Sequence, residues 1–153
     1  MAIEKIFHFI NFGGKPLDDI QKERIESFKR FNPSFKIKIW TNKDFDFSAG
    51  PQFVQDALLM RNYAYLSDYY RFVILRDHGG IYCDTDVECF RPLDDLLDRS
   101  ELLEREFIVG NTECIGTAIM GFKKGHLFPL LVLDYYNHHP IIRDGKIPRD
   151  MTN

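Results

Sequence analysis

The stretch YAYLSDYYRFVILRDHGGIYCDTDVECFRPLDD, residues 63–95, decides the fold. Its first half, from about Tyr63 to Asp77, carries Ala64, Leu66, Tyr70, Val73, Ile74 and Leu75 and then meets Gly79-Gly80. A mostly apolar run closed by glycine predicts a helix with a C-terminal cap, because glycine alone adopts the left-handed cap conformation without a Cβ penalty. The segment that follows, Ile81 to Val87, alternates and predicts a strand. If residues 81–88 are extended, Tyr82, Asp84, Asp86 and Glu88 share one face, and Ile81, Cys83, Thr85 and Val87 the other. A helix turning tightly into a strand is one half of an α/β repeat.

The other half lies upstream. Lys5 to Ile10 is a short apolar strand that runs into the turn cluster Asn11 to Pro16. Asp18 or Asp19 is placed to cap a helix with Ile20, Ile25 and Phe28 on one broad face, ending near Asn32-Pro33. Phe35 to Trp40 alternates as a second strand. Strand, helix, strand with this spacing implies a parallel pair and a right-handed crossover. Gly50-Pro51 then breaks the chain before a helix from Gln52 to about Met60. Downstream, Pro92 opens a short helix with Leu93, Leu96 and Leu97, and Phe107–Gly110 and Thr117–Phe122 read as strands. Pro129 suits the first turn of a helix reaching about Asn137, and the segment from Pro140 onward reads as an unfinished connection. The expected fold is α/β, a mostly parallel sheet flanked by helices.

Composition narrows the function. The chain has 153 residues, enough for one domain with a sizeable core. Twenty Lys and Arg against 23 Asp and Glu leave a net charge of −3, which argues against a general nucleic-acid binder. Hydrophobic residues make up 44%, too many for a disordered chain. The apolar run Leu127–Leu133 contains Pro129 and is far short of the about 20 residues that span a bilayer. Cys83, Cys89 and Cys114 are odd in number and form no CxxC, so neither a disulfide framework nor a structural zinc site is expected, and a reducing cytoplasm is the natural setting.

The chemistry concentrates in the opening stretch. Two carboxylates two residues apart on a strand lie about 6.6 Å apart. At a strand's C-terminal end they face the crevice where open α/β sheets bind ligands. Their hard oxygens suit Mg²⁺ or Mn²⁺, which could bridge the phosphates of a nucleotide-sugar. On the preceding helix Ser67 and Arg71 share a face, and Asp68 pairs with Arg71 at i+3.

The ordered set Ser67-Asp68-Tyr69-Tyr70-Arg71, Gly79-Gly80-Ile81-Tyr82, Asp84-Thr85-Asp86 and Pro92-Leu93-Asp94 resembles the DxD-containing sugar-nucleotide glycosyltransferases. These include bacterial capsular and surface polysaccharide transferases, the yeast initiating α-1,6-mannosyltransferase and the clostridial glucosylating toxins. Ile6 to Ile10 with Phe12 to Pro16, and Asn32-Pro33 followed by Trp40, extend the likeness over about residues 3–137. The resemblance implies a GT-A fold, a UDP- or GDP-hexose donor, Mn²⁺ or Mg²⁺, and a saccharide hydroxyl as acceptor in polysaccharide or glycan synthesis. It implies Asp86 as direct metal ligand, with Asp84 on the ribose or sugar and on the metal through water. Asp68 and Arg71 would hold the donor sugar, with Ser67 beside them. Tyr82 would help form the donor pocket, and Phe9, Ile10, Asn11 and Phe12 would lie near the base. The family usually has an aromatic where this chain has Asn11, and its domains continue past residue 153. Residues 1–153 are therefore expected to form a catalytic domain lacking its C-terminal portion, cytoplasmic or at the inner face of a membrane. Two rival expectations are a fragment that binds sugar nucleotide without transfer and a toxin-like effector that glycosylates a protein.

Blander readings apply to several residues. An EF-hand loop from Asp84 fails, because Cys89 stands where glycine is needed and Asp95 where glutamate is needed. His8, between Phe7 and Phe9, reads as a satisfied structural histidine, and His138-His139 as surface. Tyr135-Tyr136 reads as helix packing, Gly13-Gly14-Lys15 as a turn, and Cys83 as a small buried hydrophobe.

Overall fold

The computed structural model describes residues 2–108 and 112–147. Strand β1 (Ile6–Asn11), helix α1 (Asp19–Phe31) and strand β2 (Lys36–Thr41) form the expected βαβ unit. β1 and β2 pair in parallel from Ile6↔Lys36 to Asn11↔Thr41. Asp18 caps α1 through a reciprocal box: its carboxylate accepts from the Gln21 amide at 2.8 Å, and the Gln21 side-chain oxygen accepts from the Asp18 amide at 3.0 Å. Ile25 and Phe28 are buried, but Ile20 is 61% exposed. Five residues before Ile25 puts Ile20 roughly 140° away round the helix, so the expected broad face is narrower.

Helix α2 (Gln52–Leu59) leads into helix α3 (Tyr63–His78), whose buried residues include the run Tyr69 to Phe72. Such burial all round marks an interior helix, covered by the sheet on one side and by its helical neighbours on the other. Gly79 caps α3 at φ +66°, and Gly80 follows at φ +90°. A Cβ at Gly80 would stand 2.8 Å from the Ile6 carbonyl oxygen, so this crossing into the sheet requires glycine.

Strand β3 is shorter than the alternation predicts: it covers Gly80–Cys83 only. The Asp84 amide makes a last bond to the Ala118 carbonyl at 2.8 Å, and the Val87 amide then closes back on the Asp84 carbonyl at 3.1 Å. Asp84, Thr85 and Asp86 therefore lie in a turn, and the shared strand face for Tyr82, Asp84, Asp86 and Glu88 is not realised. Continuing the strand would line carboxylates along the sheet, whereas aspartate readily supports a turn. The short helix after Pro92 is a single 3₁₀ turn, Asp94–Leu96.

Strands β4 (Glu101–Ile108) and β5 (Thr112–Phe122) are both longer than expected, with an irregularity between Leu103 and Glu104. Of the stretch expected as strand over 107–110, residues 109 and 110 lie outside the described residues, as does Asn111. Cross-strand pairing draws Thr112–Gly116 into β5, ahead of the start expected at Thr117. Helix α4 (Leu127–His138) carries Pro129 in its first turn, as expected. The segment after it is docked: Ile141 is fully buried, and the Ile142 amide donates to Asp56 at 2.8 Å.

The five-stranded sheet has the order β2-β1-β3-β5-β4. β2, β1 and β3 are parallel, while β5 runs antiparallel to both β3 and β4, so the sheet is mixed. One face carries Phe7, Phe9, Ile81 and Cys83 and packs on Ile25 and Phe28 of α1. The other carries Ile10, Tyr82 and Met120 and packs on α2, α3 and α4. Both faces are covered, as a parallel core requires. His8 joins the layers: Trp40 Nε1–H donates to its Nδ1 at 3.1 Å, which leaves Nε2–H to donate to the Gly79 carbonyl at 2.9 Å. It is the satisfied structural histidine the sequence suggested, and burial holds its pKa down at about 4.

Candidate functional site

A cavity of about 310 Å³ opens at the C-terminal end of β3, where α3, the start of α1 and the Asp84–Val87 turn converge. Ile10 and Tyr82 come from the sheet, Ala64, Ser67 and Arg71 from α3, Gln21 from α1, and Asp84, Thr85 and Asp86 from the turn. Crevices beyond the carboxyl ends of strands are where open α/β sheets bind ligands, and this one lies beside the parallel core.

Arg71 organises the cavity wall. Its side chain is only 6% exposed, so its charge is largely withdrawn from water. Its Nε donates to the Ser67 carbonyl at 3.2 Å, Nη1 to the Thr117 carbonyl at 2.7 Å, and Nη2 to Asp68 Oδ1 at 2.6 Å. The guanidinium also lies over the Tyr82 ring, 4.8 Å from its centroid. Three of its five N–H groups are thus engaged within the protein. Nη2 stands 3.7 Å from Asp84 Oδ1, which itself accepts the Tyr82 hydroxyl at 2.6 Å.

Burial opposes ionisation across the cluster. It raises the carboxyl pKa values of both Asp68 and Asp84, with Arg71 pulling each the other way. It raises the Tyr82 phenol well above the ordinary range. Burial acts to lower the Arg71 guanidinium, but Tyr82, Asp68 and Asp84 outweigh it and the group stays firmly charged. The result is a fixed cation held between two partly exposed carboxylates, an arrangement suited to hydroxyl and phosphate oxygens.

Asp86 differs from Asp84. It is exposed at the cavity, and none of the described residues forms an ion pair or hydrogen bond with it. No three His, Cys, Asp or Glu side chains cluster to cage a cation among the described residues. Asp84 and Asp86 nevertheless offer hard oxygens on one cavity, and Mg²⁺ or Mn²⁺ commonly takes one or two carboxylates plus substrate phosphates and water. The donor set therefore fits such an ion when a phosphorylated ligand completes its shell.

The structure brings Ser67, Asp68, Arg71, Tyr82, Asp84 and Asp86 together, and Ile10 joins them. Phe9 stands apart: it is fully buried against Phe28 on the opposite face of the sheet. Asn11 lines a second cavity, about 370 Å³, with Gly14, Lys15, Pro16, Thr41, Asn42 and Lys43. Phe12 packs edge-on against Phe45, Phe47 and Tyr70. Sequence reasoning missed Gln21 and Thr85 as cavity residues. The signal for Gln21 was present, since it stands three residues after the capping Asp18. The Thr117 carbonyl carried no signal, being backbone.

A family model described as the glycosyltransferase sugar-binding region containing DXD motif matches residues 18–103. The chain belongs to this family. The matched span takes in α1, Asp68, Arg71 and the Asp84-Thr85-Asp86 turn. Inositol phosphoceramide mannosyltransferase 3 of Schizosaccharomyces pombe is 34% identical over 108 residues, which are 67% of this chain and 28% of that protein. A mannosyl phosphorylinositol ceramide synthase of Saccharomyces cerevisiae is 28% identical over 143 residues, 90% of this chain and 35% of that one. The chain thus spans about a third of the length of the curated relatives it matches. Among solved structures, the PaToxG glycosyltransferase superposes with a TM-score of 0.68 at 16% identity, covering 87% of this chain and 60% of that one. A transferase solved as a double cysteine-to-serine mutant superposes at 0.59 with 11% identity, covering 97% and 82%. These likenesses show the fold, which is the GT-A type that the sequence implied. No helix among the described residues is long and apolar enough to cross a membrane.

Proposed function

We propose that this chain binds a nucleoside-diphosphate hexose together with a divalent cation and serves transfer of the hexose to an acceptor hydroxyl. The observation that carries this reading is the buried Arg71, fixed between Asp68 and Asp84 on the cavity at the end of β3. Asp86, with Asp84 beside it, would hold Mn²⁺ or Mg²⁺, which when bound neutralises charge on the leaving diphosphate. The two remaining N–H groups of Arg71 are available to a donor oxygen, and the partly exposed oxygens of Asp68 and Asp84 can accept from sugar hydroxyls. In the reaction the bond between the anomeric carbon and the diphosphate oxygen breaks, and the acceptor oxygen bonds that carbon as its proton leaves. A cation fixed in advance stabilises the departing charge without reorganising.

The nucleoside is assigned to the cavity of Asn11, Thr41 and Asn42, which lies at the C-terminal ends of the parallel strands β1 and β2. The yeast relatives are named for mannosyl chemistry, which makes a GDP-linked mannose the first donor to test and a UDP-hexose the second. The acceptor is assigned as a saccharide or polyol hydroxyl in glycan synthesis. The three free cysteines support a reducing, cytoplasmic setting.

Titration calorimetry with GDP-mannose and UDP-glucose, each in Mn²⁺ and in EDTA, tests the reading. Binding of one donor that strengthens at least tenfold in Mn²⁺ is expected. Equal affinity in EDTA would remove the metal from the proposal, and no binding of either donor would remove the donor.

A further inference from the structure

The segment from Thr85 to Leu93 is braced by α1 and its C-cap residue at three places. The Gln21 side chain donates to Thr85 Oγ1 at 3.1 Å, the Cys89 amide donates to Ser27 Oγ at 2.8 Å, and the Leu93 amide donates to Asn32 Oδ1 at 2.7 Å. Only the first acts inside the turn and on the cavity. Gln21 is itself immobilised by the reciprocal cap: its backbone amide and its side-chain oxygen are both bound to Asp18. Its carboxamide orientation is therefore settled, because the oxygen must accept from the Asp18 amide and only the NH₂ can reach Thr85. A hydroxyl that accepts from Gln21 keeps its own proton to donate. Thr85 lies between Asp84 and Asp86 and lines the cavity.

We infer that Gln21 is a positioning residue for the donor site. It fixes the turn that carries Asp84 and Asp86, and it commits the Thr85 hydroxyl to donate to an oxygen of the bound sugar nucleotide. Asp86 has no partner of its own among the described residues, so its placement depends on the backbone of this turn. This inference rests on the donor reading above for its ligand, but the brace itself is independent of it.

The test uses four variants of the chain with two readouts. The first is amide hydrogen exchange over residues 84–88 without metal or ligand. The second is the affinity for GDP or UDP with Mn²⁺. Gln21→Ala and Thr85→Val should each speed exchange in the turn and weaken nucleotide binding about five- to tenfold, the worth of one or two hydrogen bonds. Thr85→Val leaves the cap of α1 intact, so its effect cannot come from a frayed helix. Thr85→Ser should stay within about twofold of the parent. The double variant Gln21→Ala/Thr85→Val should be no worse than Thr85→Val alone, because both remove one interaction. Unchanged exchange in Gln21→Ala, fully additive losses, or failure of serine to rescue would each overturn the brace. If the parent chain binds neither nucleotide, the donor reading fails, and amide exchange still decides whether Gln21 orders the turn.

Discussion

Replacing Arg71 by lysine keeps the charge and removes the planar fork. Arg71 makes three hydrogen bonds, at 2.6, 2.7 and 3.2 Å, to partners that point from α3 and from β5. An ammonium on a flexible stem can keep one of these and loses the guanidinium face on Tyr82. Two lost hydrogen bonds to a charged group, at about 1.5 kcal/mol each, give a destabilisation of about 3 kcal/mol. Asp68 is 35% exposed and can recover water, so the larger estimate for breaking a fully buried pair does not apply. For a chain of this size the shift in Tm is roughly 6–12 °C. Nucleotide-sugar affinity in Mn²⁺ should fall at least tenfold, because the N–H groups that face the cavity lose their fixed direction. The assay is urea unfolding of both proteins, followed by calorimetry at a temperature where the variant remains folded. A midpoint shift worth less than 0.5 kcal/mol would show that Arg71 is not held as described, and unchanged donor affinity in a folded variant would remove it from the site.

Asp86→Ala should leave unfolding free energy within about 0.5 kcal/mol of the parent, since the side chain is exposed and unpartnered among the described residues; it should abolish the Mn²⁺-dependent gain in nucleotide affinity, and a retained gain in calorimetry would exclude it as the metal ligand. Tyr82→Phe removes the 2.6 Å bond to Asp84 and should cost about 1 kcal/mol in urea unfolding while weakening donor binding, whereas parent-like values for both would show the hydroxyl to be idle. His8 is held neutral down to about pH 4 by burial, against 6.5 when unfolded. Its contribution to stability is therefore complete above pH 6.5 and is lost as pH falls toward 4, by about 3 kcal/mol in all. His8→Gln should flatten the slope of unfolding free energy between pH 7 and pH 4.5, and an unchanged slope would assign that pH dependence elsewhere.

The βαβ opening was legible because Lys5–Ile10 and Phe35–Trp40 are short apolar runs separated by a capped helix, and local pattern is enough for that. Gly79-Gly80 announced both the end of α3 and the crossing into the sheet, since no other residue fits the space beside Ile6. The end of β3 was illegible. Alternation continues through Asp84, Thr85 and Asp86, and a turn carrying carboxylates has the same pattern as a strand with one polar face. Glu101–Ile108 was read short for a related reason: three glutamates and an arginine disguise a strand that pairs with β5. At the site, the Asp68–Arg71 pair was visible at its i+3 spacing, but the burial of Arg71 was not. That burial comes from the sheet, from the neighbouring helices and from a backbone carbonyl that carries no side-chain identity.

The bond from Arg71 to the Thr117 carbonyl joins residues 46 apart in the chain. It also joins elements that are separated in the chain by β3 and β4. That carbonyl is in reach only with β5 antiparallel on β3, which itself pairs with β1. Without that pairing, the guanidinium on α3 has one of its buried acceptors missing, so the helix gains little by closing over it. Loop closure of this kind precedes the contacts that reward it, and contacts of long sequence separation slow folding. The Arg71 wall of the cavity is consequently complete only with β5 in place. A chain that reaches only through the Asp84-Thr85-Asp86 turn possesses every acidic residue of the site and lacks the β5 carbonyls that hold Arg71 and Asp84.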